Sequence, residues 1–297
     1  MKHTAKVTSI VLGIFFLTQI IGLFIINNYI DKLQLQQGKI VFKELPLKFE
    51  RPMLEERTSF IYIMIAILIG TFIVLLLIRF QQVSLWKLWF LIAVFVTLSV
   101  ALKSFMPELL ATFLAAVFSV WKVYRPNFYV HNLTELFIYG GLAAIFVPVL
   151  NVFSVIMLLI FISAYDAYAV WKSKHMVKLA QFQTKSKMFA GVIIPYKLPK
   201  VPLKEVPGKR IKVRTAILGG GDIGFPLLFA GVIFKDLLLA NPVLIALQKV
   251  LLIPIFATAA LGWLLVKAEK NKFYPAMPII TLGCFTAFIL MHLIGFL

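Results

Sequence analysis

Two aspartates stand inside apolar runs of this sequence: Asp166, in Ala164-Tyr165-Asp166-Ala167-Tyr168, and Asp222, in Leu218-Gly219-Gly220-Gly221-Asp222-Ile223-Gly224-Phe225-Pro226. A carboxylate in a hydrocarbon setting is costly, and where it occurs it marks a functional site. Most of the other acids lie in polar loops or near segment ends. Asp166 precedes the basic Lys172, and Asp222 follows the basic Arg214. At about 1.5 Å per residue of helix, both fall roughly 9–12 Å inside the same end. Two carboxyls sharing a low-dielectric site cannot both ionise, so one keeps its proton while the other stays charged. That division supplies a base for water and an acid for a carbonyl oxygen or leaving amine, the acid–base logic of aspartic-protease chemistry. The pair titrates as a unit, so neither aspartate is assigned the proton. Two such acids alone fit equally well the cation site of a channel or proton-coupled transporter. Folds of that second kind often carry inverted repeats, and none is evident here.

The elements that must position these acids follow from composition. Of 297 residues 61% are hydrophobic, and the mean hydropathy is +0.96. Soluble chains carry roughly 45–50% apolar residues, so the excess implies an all-α polytopic membrane protein. The net charge of +18 arises from 30 Lys+Arg against 12 Asp+Glu. These basic residues cluster between apolar runs, where cytoplasmic retention and anionic headgroups account for them, and no nucleic-acid partner is expected. A single cysteine, Cys284, excludes an intramolecular disulfide and a thiolate cluster. His3, His131, His175 and His292 form no His-Glu-x-x-His pair, so neither a metal nor a cofactor is expected.

Hydropathy divides the chain into nine transmembrane helices, with expected spans at 6–30, 59–78, 83–102, 107–123, 131–147 and 149–171 in an amino-terminal part (1–171), then 216–239, 250–266 and 274–297 in a carboxyl-terminal part (215–297). Asp31 to Thr58 reads as an ordered extramembrane loop or small cap. The short link at Pro148 makes the fifth and sixth spans antiparallel neighbours. Between the two parts lies a basic loop, 172–214, with twelve Lys/Arg against one acid, Glu205. Its prolines favour extended chain. Arg210 to Thr215 alternates as a strand does, leaving two readings: a solvated basic linker, or a short strand whose free edge takes up another chain. The basic bias puts the amino terminus and this loop in the cytoplasm and the carboxyl terminus outside.

Three motifs near the cytoplasmic end join the aspartates: Tyr165-Asp166, Gly219-Gly220-Gly221-Asp222, and Pro275-Ala276-Met277-Pro278, in the sixth, seventh and ninth spans. Together they resemble the presenilin and signal peptide peptidase family of intramembrane aspartyl proteases, and more narrowly its small single-chain microbial members. The resemblance implies that Asp166 and Asp222 are catalytic, and that Tyr165, Gly219, Gly220, Gly221, Pro275, Ala276 and Met277 line the site. Met277 stands where the family pattern has leucine, a flexible residue of similar volume. The resemblance further implies hydrolysis of peptide bonds within or next to transmembrane segments of other proteins, action without partner subunits, and residence in a prokaryotic plasma membrane. The amino-in orientation is similar to presenilin, which implies substrates with their amino termini outside.

Some features are independent of the family. Proline opening the ninth span leaves backbone groups unpaired, which is tolerated where they line a wet cavity. The glycines allow close approach, by substrate or by the sixth helix. Glu135, in the fifth span, has two readings: an ion pair with a cytoplasmic-side basic residue, or hydration of the cavity. Asp236 beside Lys235 reads as a pair at the outer boundary.

Overall fold

A computed structural model describes residues 5–172, 188–195, 215–269 and 274–296. Apolar runs that cannot give their backbone groups to water satisfy them internally as helices. Ala5–Tyr29 forms α1. Asp31 then accepts from the Leu33 and Gln34 amides and caps the short α2, Lys32–Gln36. The loop to residue 58 is ordered, with a bridge from Ile30 to Phe42 and a 3-10 turn at Pro46–Lys48. Arg51 ties it down by donating to the Lys43 and Ala144 carbonyls, with its guanidinium over the Tyr29 and Phe42 rings. Burial pushes the Arg51 pKa below its usual value.

The helices α3 (Ser59–Arg79), α4 (Val83–Lys103), α5 (Glu108–Tyr124) and α6 (Phe128–Phe146) follow. A 3-10 turn at Val147–Val149 leads to α7, Val152–Trp171, capped by the Asn151 side chain on the Ser154 amide. The expected packing of the fifth span against the sixth is not what is observed. The pieces are α6 and α7, and α8 (Gly220–Leu237) packs against both. Leu150 is extended, at φ −114° and ψ 140°, so the connection steps sideways instead of reversing in place. The remaining helices are α9 (Val243–Val250), α10 (Leu252–Lys267) and α11 (Met277–Leu293).

The centre of the fold is α8. Its side chains from Ile223 to Leu237 are almost all buried, including Leu227, Phe229 and Phe234. It contacts α1, α6, α7, α9, α10 and α11, as expected of a helix apolar on all sides. At the other extreme α3 packs mainly on α7 and α4, and many of its apolar side chains, such as Phe72, face outward.

Among the described residues six helical stretches are long and apolar enough to cross a membrane: Ala5–Tyr29, Ser59–Arg79, Val83–Lys103, Phe128–Val149, Val152–Trp171 and Val243–Lys267. The last begins seven residues earlier than hydropathy suggests, at Val243. Of the others, α5 and α11 have 17 residues each, and α8 carries Asp222, Lys235 and Asp236.

The sheet is the departure from all-helical expectation. β1 (Gly191–Pro195) and β2 (Thr215–Gly219) pair antiparallel, with Ile193 opposite Ile217. Residues 216–219, expected as the start of a helix, are therefore extended, and the helix begins only at Gly220. His3, His175, the alternating run from Arg210 to Arg214 and most of the basic loop lie outside the described residues.

Candidate active site

Asp166 projects from the last turns of α7, and Asp222 from the first turn of α8. The two helices pack together, and the carboxyls lie within electrostatic reach of each other. Both residues are half-buried among apolar helices.

Asp166 is fixed by the third motif. The chain bends at Ala276, α11 starts at Met277, and Pro278 occupies its first turn. The opening amides of a helix have no internal partner and carry the positive end of its dipole. Here the Met277 amide donates to Asp166 Oδ2 at 3.1 Å, and the Ala276 amide is also directed at this carboxyl. The amides that hold this carboxyl are those of Ala276 and Met277, between Pro275 and Pro278. One turn along, Ser163 donates to Thr281 Oγ1 at 2.8 Å and locks α7 to α11. Pro275 and Met277 are buried, while Ala276 is half-buried. Tyr165 stacks on Phe161 with ring centroids 6.3 Å apart.

The glycines before Asp222 do different things. A Cβ on Gly219 would lie 3.2 Å from Asp222 Oδ2, so the missing side chain is the room the carboxyl occupies. A Cβ on Gly220 would lie 2.7 Å from the Tyr139 hydroxyl, so this glycine admits α6, the expected fifth span, and not α7, the expected sixth. Gly221 is exposed and would meet only the Phe225 ring at ordinary contact distance.

Behind the site lies a buried polar cluster on α5 and α6. Lys122 Nζ reaches Glu135 Oε1 at 2.6 Å, Thr134 Oγ1 at 2.8 Å and the His131 carbonyl at 3.3 Å. Of the two readings of Glu135, the ion pair is the one observed, and it is 1% and 2% exposed at its two ends. Tyr139 donates its hydroxyl to Glu135 Oε2. His131 Nε2 sits 2.7 Å from the Gly191 carbonyl, which makes that nitrogen an N–H donor. Asn132 takes both backbone groups of Ile193, at 2.9 and 3.1 Å. The bond to Ile193 turns that residue's backbone away from β2, so the opposing Ile217 backbone points away from β1. Ile217 is exposed, and β2 presents a free edge among the described residues. At the far end, Lys235 is 3.2 Å from Glu56 and also bonds the Leu150 carbonyl. Its ion pair is therefore with Glu56, in the loop before α3, and not with Asp236, because adjacent helical residues point about 100° apart.

Lys122, Tyr139, Asn132 and Gln19, which donates to the Ile223 carbonyl at 2.9 Å, were not singled out by sequence reasoning. A lysine and a glutamate facing each other across a short turn between apolar runs are a readable signal. Tyr139 has none.

Two half-buried carboxyls thus sit on packed apolar helices, one of them held by a third helix's amino end, in a mostly helical chain with six stretches able to cross a membrane among the described residues. The chain belongs to the family described as signal-peptide peptidase, presenilin aspartyl protease, which matches residues 14–297. It is an integral membrane protein. Its fold is similar to that of a presenilin family intramembrane aspartate protease solved in two crystal forms. In one the TM-score is 0.61 at 15% identity, covering 97% of this chain and 99% of that one. In the other it is 0.59 at 15% identity, covering 96% of each. No curated protein matches. A channel or transporter finds no support in these comparisons.

Proposed function

We propose that this protein is an intramembrane aspartyl endopeptidase that hydrolyses peptide bonds within or next to transmembrane segments, with Asp166 and Asp222 as its catalytic pair. The observation that carries the reading is the placement of Asp166 on the amides that open α11, with Asp222 in reach on the neighbouring helix. In the reaction the ionised carboxylate takes a proton from water as it attacks the scissile carbonyl. The protonated partner gives its proton to the carbonyl oxygen. Collapse of the tetrahedral diol then breaks the C–N bond, and the amine leaves with a proton returned through the pair.

A substrate helix must unwind before attack, and the free edge of β2 offers main-chain bonds to the resulting strand. Gly221 is its closest approach to the acids, and Tyr165, Gly219, Gly220, Pro275, Ala276 and Met277 complete the binding surface. Nine spans remain our reading of the membrane topology. At 17 residues, α5 and α11 reach about 26 Å, near the roughly 30 Å hydrocarbon thickness. The amino terminus and the basic loop face the cytoplasm of a prokaryote, the carboxyl terminus lies outside, and substrates enter with amino termini outside. The protein acts without partner subunits.

Cleavage of a fluorogenic transmembrane peptide in detergent tests this directly. Asp166→Asn and Asp222→Asn each reduce turnover to background. If either variant cleaves as wild type does, the pair is not the catalyst.

A further inference from the structure

We propose that Tyr139 is a positioning residue for Asp222, held against the Gly220–Gly224 face of α8 by the buried Lys122–Glu135 ion pair. The proposal rests on the reading of Asp222 as half of the catalytic pair.

An ion pair removed from water is a poor source of stability, and fixing one arrangement of the chain is the better-attested use of such a group. Here every donor of the Lys122 ammonium has an acceptor: Glu135, Thr134 and the His131 carbonyl. The carboxylate of Glu135 then has one oxygen for the lysine and one for the Tyr139 hydroxyl. The phenol is thereby held at its far end.

The ring lies where two glycines leave space. A Cβ on Gly220 would come within 3.0 Å of Tyr139 Cε1, and one on Gly224 within 3.6 Å of Cδ1. Residues 220 and 224 are one turn apart and share a face of α8, whereas residue 222 is about 200° away from each. The phenol therefore bears on the backbone of the turn from the side opposite the carboxyl, and it acts on Asp222 through α8.

The same stretch of α6 holds β1, the partner of the strand that leads to this turn. His131 and Asn132 bond Gly191 and Ile193 of β1, and the Gly220 amide donates to the Ala190 carbonyl at 3.1 Å. Substrate-facing β2 and the Asp222 turn are thus referenced to one helix.

The test measures kcat, KM, the pH–rate profile and Tm for wild type, Asp222→Asn, Tyr139→Phe and the double variant Lys122→Met/Glu135→Met. Tyr139→Phe keeps the ring and cuts the tether. Since misplacement by 1 Å can cost 10²-fold, kcat falls about tenfold. KM stays within about twofold, because peptide binding is not what the tether serves. The acid limb of the pH–rate profile moves, and Tm drops only by what one unpaired Glu135 oxygen costs, with the folded fraction at assay temperature unchanged. The double variant gives the same kcat and the same displaced limb, as it removes the tether without leaving a lone buried charge. A Tyr139→Phe enzyme with wild-type kcat and pH profile, measured beside an inactive Asp222→Asn, overturns this proposal and leaves the protease reading standing. A kcat loss matched by a lower folded fraction, with an unmoved pH profile, also overturns it, because the role is then structural. An active Asp222→Asn removes the protease reading and this proposal together.

Discussion

Gln19 has no exposed surface, and it sits on α1 among apolar neighbours. Its Nε2 donates to the carbonyl of Ile223, the residue after Asp222, while its Oε1 has no partner among the described residues. A buried acceptor left unpaired costs about 1–3 kcal/mol, more than the about 1 kcal/mol that one neutral hydrogen bond returns. Leucine would fill nearly the same volume without the orphan. Gln19→Leu is therefore expected to keep or raise Tm in a detergent melt. Its cost falls on the site, because the polar tie next to Asp222 is gone. Turnover should drop severalfold in the peptide assay while the folded fraction does not. Equal losses of Tm and turnover would show that Gln19 serves packing alone.

Among the elements, α6 is the one that others are built against. Gly140 and Gly141 let it lie close to α1 and α4: a Cβ on Gly141 would fall 1.8 Å from the Thr97 carbonyl oxygen. Backbone cannot yield as a flexible side chain does, so Gly141→Ala must push α4 away. Overpacking of this kind costs about 1–3 kcal/mol, and a lower Tm with reduced folded yield should show it. Gly70, which has nothing within 4 Å of an added Cβ, is the control, and Gly70→Ala should be neutral or slightly stabilising. The element that sequence reasoning misplaced is the start of α8. Ala216-Ile217-Leu218 is apolar and short, so its pattern fits a helix start as well as a strand. Only the partner strand, across a long basic loop, decides it. The positive φ of Gly191, at 144°, marks where that partner begins, with no room for a Cβ against the Leu218 carbonyl. A consequence is testable at Ile217. Ile217→Pro removes the outward amide from the free edge, so kcat/KM for a transmembrane peptide should fall about tenfold, the equivalent of about 1.4 kcal/mol, or one good hydrogen bond. An unchanged kcat/KM would mean that substrate does not pair there.

At the scale of the whole molecule, the long apolar runs were legible because a membrane helix needs about 20 apolar residues in a row, a signal that needs no tertiary context. Asp166 and Asp222 stand out in the sequence for a similar reason, since carboxylates are conspicuous where almost nothing else is charged. Which helix lies beside which was not legible: α8 between α6 and α7 depends on the extended Leu150 and on glycine contacts from distant parts of the chain. Orientation is set by a different force again, the retention of Lys and Arg in the cytoplasm, and the chain is well suited to a test of it. Its single native thiol, Cys284, is buried, so it stays silent to a membrane-impermeant maleimide. Gln37, before the first of the expected cytoplasmic turns, and Arg125, between α5 and α6, are both exposed. Three spans separate them if Ser59–Arg79, Val83–Lys103 and Glu108–Tyr124 all cross, an odd number that puts them on opposite sides. In intact cells Gln37→Cys should react and Arg125→Cys should not, and both should react once the membrane is permeabilised. Labelling of Arg125→Cys alone in intact cells would invert the orientation. Labelling of both would mean that one of those three helices does not cross, and because α5 is the shortest of them, the count of nine would fail there first.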